Sequence, residues 1–151
     1  MTPSPDPAPH PPRARILLVE DDSELRALIA TTLNDAGFQV IEASDGDAFI
    51  ERLTEALAEG DAGQGFDVIL SDIHMPAFNA LDVLVGAHRL IGETPVILIT
   101  AFGDRPTHEQ ALLRGAAVVL DKPVRMTVLC ETVTELLIQA QSGARRAFAG
   151  L

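Results

Sequence analysis

The chain has 151 residues, 47% hydrophobic and 22% charged, a length that suits one domain burying roughly 70% of its unfolded surface. Its 11 basic residues stand against 22 acidic ones, so the net charge of −11 gives a nucleic-acid partner no electrostatic attraction. The single cysteine, Cys130, excludes an internal disulfide or a cysteine metal cluster, and no apolar run approaches a membrane span or a signal peptide, which together predict a cytoplasmic protein.

Residues 1–14 are predicted to be an extended tail. Six of the first twelve are prolines, which lack a backbone donor and restrict their predecessors. Residues 16–19 form a short apolar run, as expected of a strand buried on both faces. Helical spacing follows at Leu25, Leu28, Ile29, Leu33 and Ala36, opened by Asp22 or Ser23 and closed by Gly37. A strand over 38–43 and a helix over 45–59 come next, then a loop over 59–65 in which three glycines break any helix. The pattern continues with a strand over 67–72, a helix over 79–91, a strand over 95–100 and a helix over 105–114. A strand over 117–120 and a helix over 124–140 complete a domain spanning 15–140; residues 141–151 read as a helix extension or a tail. Five strands alternating with five helices predict an α/β fold, a doubly wound parallel sheet covered on both faces.

Polar residues fall where these strands end. Glu20, Asp21 and Asp22 close the first, Asp72 the third, Thr100 the fourth, and Asp121, Lys122 and Pro123 the fifth. In such a sheet the ligand crevice lies beyond the carboxyl ends of the strands, so all of these groups are expected to meet there. Clustered carboxylates repel one another unless a cation relieves them, and a partial all-oxygen site suits Mg²⁺. A carboxylate can also attack phosphorus, and Asp72, on a central strand beside the acidic pair, is the best-placed nucleophile. A lysine and a hydroxyl would stabilise charge on the transferring group.

Four segments in register resemble the receiver domain of bacterial response regulators: residues 16–22 (ILLVEDD), 69–76 (ILSDIHMP), 96–101 (VILITA) and 115–123 (GAAVVLDKP). The resemblance implies a flavodoxin-like sheet of order 2-1-3-4-5. It also implies that Asp72 is the phosphoacceptor, and that Glu20, Asp21, Asp72 and the backbone carbonyl of His74 hold Mg²⁺. Asp22 falls one place later and reads as a helix cap. Thr100 would be the hydroxyl that moves toward the phosphoryl group, Lys122 the lysine that pairs with it, and Pro123 a cis-bonded proline. Val119 stands where many members carry an aromatic that reports activation. Ala80 stands where a glycine is usual, and the side chain at His74 is placed to tune the lifetime of the phosphoryl group.

The function so implied is a signalling switch. A sensor histidine kinase or a histidine phosphotransfer protein would supply the phosphoryl group. Output would pass to a partner protein through the face built from the helix over 105–114, the strand over 117–120 and the helix over 124–140. No output domain, membrane or nucleic-acid contact is expected, while a phosphorylation-linked homodimer stays open. The chain would catalyse only its own phosphoryl transfer and slow dephosphorylation. A phosphorelay shuttle is one alternative. A phosphohydrolase with an aspartate nucleophile is another, although such enzymes want a second acid where this chain has His74.

Overall fold

The computed structural model describes residues 13–58, 65–76, 78–81, 84, 92–101 and 103–149. In chain order these form β1 (Arg15–Val19), α1 (Ser23–Asp35), β2 (Gln39–Ala43), α2 (Gly46–Ala58) and β3 (Val68–Asp72). Two short strands follow, β4 (His74–Met75) and β5 (Phe78–Asn79). Then come β6 (Val96–Thr100), α3 (Arg105–Leu113), β7 (Val118–Asp121) and α4 (Met126–Ala149).

One parallel sheet of five strands has the order β2-β1-β3-β6-β7, which is 2-1-3-4-5 when only the sheet's own strands are numbered. Because side chains alternate across a strand, the sheet builds two cores. On one face Leu17, Val19, Ile69, Val96 and Leu98 pack with Phe49 and Leu53 of α2 and with Ala80, Leu84 and Ala111. On the other, Ile16, Leu18, Val68, Leu70, Ile97 and Ile99 pack with Ile29 and Leu33 of α1 and with Leu129 and Val133 of α4. Burial on both faces explains why these strands read as unbroken apolar runs.

Three aspartates start three helices. Asp22 accepts the amides of Glu24 and Leu25 at 3.0 and 3.2 Å, Asp45 that of Ala48 at 2.7 Å, and Asp104 that of Thr107 at 2.8 Å. Gly37 and Gly115, at φ 100° and 108°, close α1 and α3 in a conformation that a Cβ would disfavour. The helix expected over 124–140 starts at Met126 and continues to Ala149, with no proline in 141–149 to stop it. The β4–β5 hairpin has no counterpart in the sequence pattern, because strands of two residues leave no periodic signal. Of the helix expected over 79–91, residues 80, 81 and 84 are helical and most others lie outside the described residues, as do residues 1–12 and 59–64. Among the described residues no helix is long and apolar enough to cross a membrane.

Candidate functional site

The sheet delivers its polar residues to one edge on a backbone that stays hydrogen-bonded past the strand ends. The amide of Glu20 donates to the Ala43 carbonyl at 3.1 Å, that of Ile73 to Ile99 at 2.8 Å, and that of Lys122 to Thr100 at 2.8 Å. Each functional side chain therefore departs from a fixed point.

Lys122 is the centre of the cluster. Its ammonium lies 2.5 Å from Asp72 Oδ2 and 3.2 Å from Glu20 Oε1. Asp72 Oδ1 accepts the backbone N–H of His74 at 3.0 Å. Glu20 is 1% exposed, Asp72 4% and Thr100 0%, whereas Asp21 is exposed. Burial, and then the charge of Asp72, push the Glu20 carboxyl up to about 7 despite the opposing pull of Lys122. Burial alone would lower Lys122; the hydrogen bond and charge of Asp72, followed by those of Glu20, outweigh it and hold the ammonium above its ordinary value.

One carboxylate oxygen each from Glu20, Asp21 and Asp72 come within 4.8 Å of one another. Glu20 Oε2 is buried and, among the described residues, has no hydrogen-bond partner. An unpartnered buried carboxylate oxygen, in an all-oxygen set with one solvent-facing member, fits a hard divalent cation that keeps some of its water. The cluster could therefore hold a metal ion.

The sequence expected every strand-end group to meet in this crevice, and two do not. Asp22 is spent on capping α1. Asp121 turns away, its Oδ1 lying 2.7 Å from His108 Nε2, because α3 offers a partner on that side while Lys122 already serves the acidic pair. His108 is thus engaged and half-buried. Thr100 sits beside Asp121 in the β6–β7 register, and its carbonyl holds the Lys122 amide. His74 is exposed in β4, and the Lys122–Pro123 bond is cis. The sequence reading missed Arg26, whose Nη1 donates to the Glu20 carbonyl at 2.8 Å. A signal was there, since a cation in the first turn of a helix opposes the helix dipole.

Comparison with known proteins agrees with this geometry. A profile of the response regulator receiver domain matches residues 16–134. The chain is 34% identical over 130 residues to the C4-dicarboxylate transport transcriptional regulatory protein DctD of Pseudomonas aeruginosa, covering 86% of this chain and 26% of that protein. It is 29% identical over 126 residues to the response regulator receiver protein CpdR of Brucella abortus, covering 83% of this chain and 98% of that one. The chain thus spans about a quarter of the first relative and nearly all of the second. A receiver domain protein from Clostridium thermocellum superposes with a TM-score of 0.75 at 26% identity, over 85% of this chain and 97% of that one. With its sheet order, its acidic cluster and this match along most of its length, the chain belongs to the response regulator receiver family, the phosphoryl-accepting switches of two-component systems.

Proposed function

We propose that this chain is a signalling switch driven by phosphorylation of Asp72, with a sensor histidine kinase or a histidine phosphotransfer protein as donor. The observation that carries the reading is the Lys122 ammonium bridging Asp72 and Glu20 at the carboxyl edge of the sheet. An oxygen of Asp72 would attack the phosphorus as the bond to the histidine nitrogen breaks, leaving an acyl phosphate on Asp72. Glu20, Asp21, Asp72 and the His74 carbonyl would hold Mg²⁺, which when bound neutralises charge on the phosphoryl oxygens. The His74 amide keeps Asp72 oriented for attack. Once Asp72 is phosphorylated, Lys122 loses its partner oxygen there and turns to the phosphoryl group, and the Thr100 hydroxyl donates to it. The switch is a shift between two states, no larger than the difference in these contacts allows.

Output would pass through the face of α3, β7 and α4 to a protein partner. The net charge of −11 makes direct nucleic-acid binding by this domain unfavourable. Residues 15–140 would carry the switch, in the cytoplasm, and the domain would turn over nothing but its own phosphoaspartate.

Intact-mass spectrometry after incubation with acetyl phosphate tests this. A gain of about 80 Da, one phosphoryl group, is expected with Mg²⁺, and none without Mg²⁺ or in Asp72→Asn. Absence of both an adduct and beryllofluoride binding in the wild-type chain would overturn the reading. Steady turnover of a phosphate ester would replace it with a phosphohydrolase.

A further inference from the structure

We infer that Arg26 is a positioning residue for the acidic centre, acting on Glu20 through the main chain while Glu42 holds it in place. This rests on the proposal that Glu20, Asp21 and Asp72 bind a divalent cation. Arg26 belongs to the first turn of α1, and its Nη1 donates to the Glu20 carbonyl at 2.8 Å. Its Nε lies 3.3 Å from Glu42 Oε1 on the edge strand β2. The Glu20 amide is meanwhile held by Ala43, the residue after Glu42. The peptide groups on either side of the Glu20 Cα are therefore anchored, one to β2 directly and the other to β2 through Arg26.

Such anchoring is needed. The Glu20 carboxyl is buried beside the Asp72 carboxylate, with one oxygen unpartnered among the described residues, so both desolvation and repulsion favour swinging it out. A fixed main chain limits that escape and keeps the carboxyl where a cation can use it. The arginine accomplishes this by its geometry, since its planar fork reaches the carbonyl and Glu42 together.

The sign of one effect separates positioning from simple electrostatics. Removing a cation near a metal site should tighten Mg²⁺ binding by Coulomb's law, whereas removing a positioning group should weaken it. Isothermal calorimetry of Mg²⁺ binding to the full chain is the measurement, with urea unfolding run beside it. Arg26→Ala is expected to raise the Mg²⁺ Kd about tenfold, the usual effect of losing a group that orients a metal ligand. Arg26→Lys, which keeps the charge and one donor, should fall between. Glu42→Ala, at a half-exposed edge position that folding tolerates, should raise the Kd about two- to threefold.

A Kd that is unchanged or lower in Arg26→Ala, whatever its stability, overturns the inference. Should Arg26→Ala not fold, unchanged affinities in both Arg26→Lys and Glu42→Ala do so instead. Absence of saturable Mg²⁺ binding in the wild-type chain, or binding indifferent to Asp21→Asn, would instead remove the metal reading on which the inference stands.

Discussion

His108 Nε2 lies 2.7 Å from Asp121 Oδ1 and ties α3 to the end of β7. The contact closes over Gly103: a methyl group there would collide with the Asp121 carboxylate. Loop, strand end and helix thus meet at one point, next to Thr100 in the sheet register and to Lys122 in the chain.

Gly103→Ala should therefore act through Asp121. The carboxylate must rotate away, and its hydrogen bond to His108 is lost. The expected cost is about 1 kcal/mol, since the pair is partly exposed. His108→Ala should cost about the same, and the double variant little more than either single one. Thermal unfolding of the three variants checks this. Additive losses would show that Gly103 and His108 do not act on the same carboxylate.

Lys122→Ala should leave the Glu20 and Asp72 carboxylates buried without their shared cation. The expected loss is about 2 kcal/mol near neutral pH, below the range for a fully buried pair because Lys122 keeps some solvent contact. The loss should shrink on acidification. Glu20 is already pushed up to about 7 from 4.5, and without Lys122 it rises further, so it takes up a proton readily. A raised carboxyl contributes stability that is present at low pH and fades as pH climbs through the folded-state value. Urea unfolding at about pH 5 and about pH 8 measures the difference. An equal loss at both would mean that Lys122 does not offset Glu20.

Much of this was legible in the sequence for a simple reason. Strands buried on both faces are continuous apolar runs, and a polar or charged residue marks where each run ends, so the sequence alone places Glu20, Asp72, Thr100 and Lys122 at one edge. What could not be read is where a side chain turns once there. Asp121 and Lys122 are neighbours in the chain, yet one turns to His108 and the other to Asp72. That choice is set by α3, whose approach to β7 is a tertiary fact. Arg26 was missed for a related reason: it acts on a backbone carbonyl six residues away, and a carbonyl has no letter in the sequence.

Ala80 occupies a position where the family resemblance favours glycine. Here its methyl group is 5% exposed within the core on the α2 side, and its amide donates to the Ile73 carbonyl at 3.3 Å. Ala80→Gly should cost about 1 kcal/mol, through lost burial and the greater freedom of glycine in the unfolded chain. Chemical denaturation measures it. A stabilised variant would show that alanine strains the loop beside Asp72.

The last prediction concerns the cation and Glu20 together. In metal-free protein the Glu20 pKa is raised from 4.5 to about 7, so the fold prefers the protonated acid. That preference contributes fully below about pH 4.5 and is lost as pH rises through about 7. The metal-free domain should lose up to about 3 kcal/mol over that window. A divalent cation requires the ionised carboxylate, so its stabilising effect has the opposite trend. The rise in Tm caused by saturating Mg²⁺ should be small near about pH 5 and grow toward about pH 8. Glu20→Gln, which keeps the shape but cannot ionise, should flatten the metal-free pH profile and reduce the Mg²⁺ effect. Differential scanning calorimetry with and without Mg²⁺ across this range decides it. A Mg²⁺ effect equally large at every pH, in both wild type and Glu20→Gln, would remove Glu20 from the ligand set and leave the cation to Asp21 and Asp72.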